Sequence, residues 1–112
     1  MILLWSIIVS LDKHLIDKFV NVTSNAAIAC YKHIGKGDKI KADKATTDSM
    51  RESLNKLHID GKVVIGEGEL DEAPMLYIGE NLGTKKGPVL DIAVDPLEGT
   101  NFAAKNLPGA LS

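Results

Sequence analysis

Leu15, Phe19, Val22, Ala26 and Ala29 recur at steps of three and four, with Lys13, Asp17, Lys18 and Lys32 on the other faces. That spacing predicts one amphipathic helix over residues 11–34, stopped by Gly35-Lys36-Gly37. Alanines, Met50, Leu54 and Leu57 repeat in the same way and predict a second helix from Lys44 to about Leu57, with Asp43 just ahead of it as N-cap. The pattern then changes. Lys62-Val63-Val64-Ile65 lies between glycines, too short and too β-branched for a helix, and reads as a buried strand. A second β-rich run spans Val89 to Val94. Between the two, glycines at 66, 68, 79, 83 and 87 and Pro74 surround Met75-Leu76-Tyr77-Ile78, which predicts loops around a short helix or strand. Past Thr100, Asn101 to Lys105 reads as one or two helical turns closed by Leu107-Pro108-Gly109.

Two helices and two or three strands define an α/β class, but they are too few to cover both faces of a sheet, so the chain reads as the front of a larger domain. Residues 1–10 are set apart as an apolar N-terminal extension. Their run is too short to span a membrane and lacks the positive start and small-residue cleavage site of a signal peptide. Residues 11–112 then form the N-terminal part of one domain.

Composition narrows the function only by exclusion. Across 112 residues, 45% hydrophobic, 25% charged and a net charge of −2 describe an ordinary soluble chain. There is no basic footprint for nucleic acid, and no membrane partner is expected. A single cysteine, Cys30, cannot form an internal disulfide, and the expected compartment is the reducing cytoplasm. His14, His33 and His58 have no paired spacing and read as packing or surface residues.

The chemistry concentrates in Asp95-Pro96-Leu97-Glu98-Gly99-Thr100, where a β-rich run ends in two carboxylates followed by Gly-Thr. Hard cations such as Mg²⁺ take carboxylate and carbonyl oxygens, and phosphate takes free backbone N–H groups at the start of an element. The plain alternative is an Asp-Pro turn with a solvated glutamate. Gly66-Glu67-Gly68-Glu69 places another carboxylate past the first strand, where α/β sheets hold ligands, and Glu67 is the candidate third ligand. Asp43 can cap a helix and still face a cation. Gly35-Lys36-Gly37-Asp38-Lys39 lacks the preceding strand that a nucleotide loop requires. Carboxylates at adjacent strand ends suit phosphoester hydrolysis with two Mg²⁺ or Mn²⁺ ions about 3.5–4 Å apart.

These residues resemble a known family, the class II fructose-1,6-bisphosphatases, within the wider lithium-sensitive sugar and inositol phosphatase superfamily. The resemblance runs through Ala29-Cys30-Tyr31-Lys32, Gly35 to Lys39, Ala42-Asp43, Ile59-Asp60-Gly61, Val64 to Glu69, Asp71 to Glu80 and Asp91 to Thr100. It implies a layered α-β-α-β-α sandwich, of which this chain holds the N-terminal portion. It also implies hydrolysis of the 1-phosphate of fructose 1,6-bisphosphate in gluconeogenesis, with Mg²⁺ or Mn²⁺ as cofactor. By resemblance, Asp43, Glu67, Asp95 and Glu98 are metal ligands; Glu98, Gly99 and Thr100 meet the sugar bisphosphate; Thr100 and Asp43 are catalytic; and Lys39, Glu69 and Asp71 belong to the active-site loop region. Full-length relatives are expected to be homo-oligomers. Their later portion is implied to supply a further acidic ligand and most sugar-phosphate contacts, and their sequences differ after Thr100. Two rival expectations stand beside this one: a truncated, non-catalytic product, and a related phosphatase acting on inositol or sedoheptulose phosphates.

Overall fold

The computed structural model describes residues 2–4, 13–67 and 75–97, with residues 2–4 as backbone only. In chain order these are β1 (Ile2–Leu4), α1 (Lys13–Tyr31), α2 (Lys39–Asn55), β2 (Asp60–Ile65), β3 (Asn81–Leu82) and β4 (Val89–Val94). The strands form one mixed sheet in the order β1-β4-β2-β3. The two central strands run parallel, and each edge strand is antiparallel to its neighbour.

The apolar periodicity of α1 is realised through Phe19, Val22 and Ala26, with Leu15 packed against the same cluster, and through Cys30, which is buried with Ala42 and Leu97. The helix ends at Tyr31 rather than near residue 34. His33 N–H and Ile34 N–H there donate to Cys30 and Tyr31 carbonyls in a tightened last turn, and Gly35 and Gly37 follow in the left-handed region.

α2 begins five residues earlier than its apolar spacing predicts, and Asp43 is not its N-cap. Asp38 holds that position: its backbone is extended and its Oδ1 accepts the Lys41 N–H at 3.1 Å. Asp43 therefore lies in the second helical turn, with its side chain free of capping duty. Ala42, Thr46, Met50 and Leu54 form the buried stripe. Met50 and Leu54 meet Phe19, Val22 and Ala26 of α1, Ile59 just before β2, and the sheet residues Val63, Leu90, Ile92 and Val94 in one core. The two helices and one face of the sheet thus share a single apolar layer.

β2 is longer than its apolar run and only half-buried. Gly61 and Val63 point into the core, while Lys62 and Ile65 are exposed. The Met75–Ile78 cluster forms neither a helix nor a full strand. It runs beside the end of β2, with Gly79 N–H donating to the Val63 carbonyl and Val63 N–H to the Glu80 carbonyl. The leader expected as an extension contributes an edge strand, Ile2 opposite Val94 and Leu4 opposite Ile92. The helical turns expected over residues 101–105 lie outside the described residues. Within the described residues, no helix is long and apolar enough to cross a membrane.

The cap assignment is directly testable. Asp38→Ala should destabilise the chain by about 1 kcal/mol, lowering the thermal midpoint by about 5 °C. Asp43→Asn should cause no such loss in metal-free buffer.

Candidate metal centre

Parallel pairing sends β2 and β4 out of the sheet at the same end. Their register runs Asp60 to Val89 and on to Val63 opposite Ile92, then slips so that Ile65 faces Ala93. The extra residue is a β-bulge at Val64. Counted two residues past the last pair, the slipped register would set Glu67 opposite Asp95; without the slip Gly66 would stand there. One inserted residue therefore brings a carboxylate, rather than a glycine, beside the end of the neighbouring strand.

Asp95 is half-buried, and its Oδ1 accepts the Leu97 N–H at 3.2 Å, an Asx turn that fixes the carboxylate at the strand end. Pro96 and Leu97 are buried behind it. α2 supplies the third carboxylate. Asp43 is half-buried, and its Oδ1 is fully buried with no hydrogen-bond partner. One turn further along α2, Thr47 Oγ1 donates to Glu67 Oε2 at 3.3 Å. One turn before Asp43, Lys39 opens the helix, and its charge partly offsets the repulsion at Asp43.

The electrostatics show three carboxylates acting on one another. Burial first, and then the negative charges of Asp43 and Asp95, push Glu67 up to about 7 from an ordinary 4.5; hydrogen bonds from Thr47 and the Leu76 backbone oppose the rise. Burial and Asp95 also raise Asp43. Burial, helped by the same Asp43 charge and opposed by a Thr46 hydrogen bond, raises the thiol of the buried Cys30.

A divalent cation suits this donor set. The buried Asp43 Oδ1 lacks a partner, the donors are hard oxygens, and a cation would offset the mutual repulsion that now favours protonation of Glu67. Among the described residues, no three His, Cys, Asp or Glu side chains are drawn together closely enough to form a ready-made cage. Glu98, Gly99 and Thr100, expected to complete the site, lie outside the described residues, as do Glu69 and Asp71.

Thr47 and the backbone of Leu76 were not apparent from the sequence. Thr47 could have been found from Asp43 by helical spacing alone, since it lies four residues further along the same face. Leu76 had no such signal. Its carbonyl accepts the Glu67 N–H at 2.9 Å, and a Cβ on Gly66 would stand 2.3 Å from that same carbonyl oxygen. Gly66 is therefore required by close approach of backbone to backbone.

Two outcomes follow. Gly66→Ala should cost about 2 kcal/mol in urea unfolding because a carbonyl, not a flexible side chain, blocks the new methyl. Glu67 also makes stability depend on pH. Between 4.5 and about 7 the folded metal-free chain keeps a proton that the unfolded chain has released. Stability therefore falls as pH rises through that window. Thermal melts in chelator should show this fall, and Mn²⁺ or Glu67→Gln should reduce it.

The family described as "Bacterial fructose-1,6-bisphosphatase, glpX-encoded" matches residues 13–112, nearly the whole span in which the resemblance was read. The chain is 54% identical over 100 residues to Fructose-1,6-bisphosphatase 1 class 2 of Escherichia coli (strain K12), covering 89% of this chain and 30% of that protein. It is 49% identical over 102 residues to the D-fructose 1,6-bisphosphatase class 2/sedoheptulose 1,7-bisphosphatase of Synechococcus sp. (strain CC9902), covering 91% and 30%. A Haemophilus influenzae class 2 fructose-1,6-bisphosphatase is 47% identical over 102 residues, covering 91% and 31%. The chain thus spans about a third or less of the length of these relatives. With carboxylates held at two parallel strand ends and a match that takes in both strands and both helices, this chain belongs to the bacterial class 2 fructose-1,6-bisphosphatase family.

Proposed function

We propose that residues 13–112 provide the cation-binding part of a sugar bisphosphatase that removes the 1-phosphate of fructose 1,6-bisphosphate, within the lithium-sensitive phosphatase superfamily and in the cytoplasm. The observation that carries this reading is the parallel pairing of β2 and β4, which brings Glu67 and Asp95 out at one end of the sheet, with the unpartnered Asp43 Oδ1 on the adjoining helix. Asp43, Glu67, Asp95 and Glu98 would hold Mg²⁺ or Mn²⁺, which when bound supplies Lewis acidity to the phosphoryl group being cleaved.

The chain's own residues have distinct tasks. Thr47 orients the Glu67 carboxylate through its hydroxyl, and the Leu97 amide orients Asp95. Lys39 brings positive charge to the side from which an anionic substrate would approach. Thr100 would position the attacking water, and Glu98 and Gly99 would meet the phosphate. A sugar bisphosphate needs contacts at both of its phosphates, and full-length members are proposed to assemble as homo-oligomers around such sites.

A second substrate, sedoheptulose 1,7-bisphosphate, is favoured by one observation: several relatives at 48–49% identity carry both activities in their names. Both substrates are ketose bisphosphates, and the carboxylates described here would act on the phosphate they share. Grafting residues 13–112 into the E. coli relative in place of its matching segment should give a Mn²⁺- or Mg²⁺-dependent phosphatase active on fructose 1,6-bisphosphate. Glu67→Gln in that chimera should reduce kcat by at least about 100-fold. A folded chimera with no activity on either bisphosphate would overturn the reading.

A further inference from the structure

On α2, Arg51 lies eight residues beyond Asp43 and four beyond Thr47, so all three lie along one side of the helix. Asp43 and Thr47 address the carboxylate site directly. Arg51 instead reaches the segment that runs beside β2. Its Nε donates to Glu80 Oε2 at 2.8 Å, one Nη donates to Glu80 Oε1 at 3.1 Å, and the same Nη donates to the Met75 carbonyl. Its other Nη lies 3.8 Å from Asp48 Oδ1. Glu80 is almost fully buried, with 8% of its side chain exposed, and Arg51 retains 26%. The pair is a two-pronged clamp shielded from water, unlike the exposed Lys44–Asp48 and Lys56–Glu52 pairs on the same helix.

What the clamp holds is the next residue. Met75 is followed by Leu76, whose carbonyl accepts the Glu67 N–H at 2.9 Å. Glu80, at the far end of the segment, is fixed through its backbone as well: its carbonyl accepts Val63 N–H, and its N–H donates to the Tyr77 carbonyl. Arg51 therefore ties both ends of the Met75–Glu80 segment to α2, with the Glu67 contacts between them. A guanidinium can hold two carboxylate oxygens and a carbonyl at once because its donors are fixed in a plane, whereas a lysine ammonium cannot reproduce that fork.

We propose that Arg51 and Glu80 are positioning residues for the cation site, acting through Leu76 to hold the Glu67 carboxylate where α2 presents Asp43. This rests on the reading of Asp43, Glu67 and Asp95 as cation ligands. It assigns a task to an ion pair that a purely structural account would leave as a buried link between a helix and a loop. Groups that orient a ligand from behind commonly change metal affinity by about 10-fold or more when altered.

The test is a titration of the full chain with Mn²⁺ alone, comparing the unmodified protein with Arg51→Lys, Glu80→Gln and the surface control Glu52→Gln. Helix content is followed by circular dichroism, and the Leu76 and Glu67 amides by nuclear magnetic resonance. Arg51→Lys and Glu80→Gln should each weaken Mn²⁺ binding by roughly 10-fold at unchanged helix content. In both, the Leu76 and Glu67 amide signals should move while those of α1 stay in place, and Glu52→Gln should bind as the unmodified chain does. Two positioning variants are used so that a loss of folding in one leaves the other to decide. Unchanged Mn²⁺ affinity in a folded Arg51→Lys or Glu80→Gln chain would overturn the positioning role while leaving the ligand assignment intact. So would a loss that only follows the unfolded fraction, with the Leu76 amide unmoved. An unmodified, folded chain that binds no Mn²⁺ would overturn the ligand assignment and the positioning role with it.

Discussion

Parallel pairing between β2 and β4 is the constraint on which the rest of the site depends. Antiparallel neighbours would send Glu67 and Asp95 to opposite ends of the sheet, whereas parallel neighbours bring both carboxylates out at one end. Parallel strands need a long connection. Here it is the segment from Gly66 to Pro88, whose described part turns back as β3 on the outer side of β2. The connection is therefore more than a tether: it supplies the Leu76 backbone that grips Glu67 and the Glu80 carboxylate that meets Arg51.

The helices complete the arrangement from one side. The apolar stripe of α2 packs on α1 and the sheet, which fixes the rotation of the helix about its axis. With that rotation set, Asp43 and Thr47 face the strand ends and Arg51 the Met75–Glu80 segment. Burial then has an electrostatic consequence. Burial first, and then the charges of Asp43 and Asp95, shift Glu67 to about 7, a cost that a bound cation would offset.

Much of this was legible in the sequence, and the parts that were not have physical reasons. The strand-end positions of Asp95 and Glu67 could be read because a β-rich run ending in a carboxylate beside proline or glycine carries local information. The start of α2 was misplaced because Ile40 is exposed, so the apolar period fades in the first turn, and because Asp43 is as plausible a cap as Asp38 by residue type. The bulge left no mark, since Val63, Val64 and Ile65 suit a regular strand equally well. Arg51 and Glu80 are separated by 29 residues, and neither helical nor strand periodicity links them. The leader strand was obscured because Ile2 to Leu4 finds its partner only in β4, near the other end of the chain. Glu98, Gly99 and Thr100 come next in the sequence after the Asp95 turn and lie outside the described residues.

The central claim is that one cation site forms where β2, β4 and α2 meet. Paramagnetic broadening by substoichiometric Mn²⁺ tests it most directly, because the ion erases nearby amide signals without requiring turnover. The amides of Asp43, Glu67 and Asp95 should broaden first and together, and Glu67→Gln should abolish this. Broadening that begins instead at exposed carboxylates such as Glu52 and Asp91, with the strand-end amides unaffected, would contradict it.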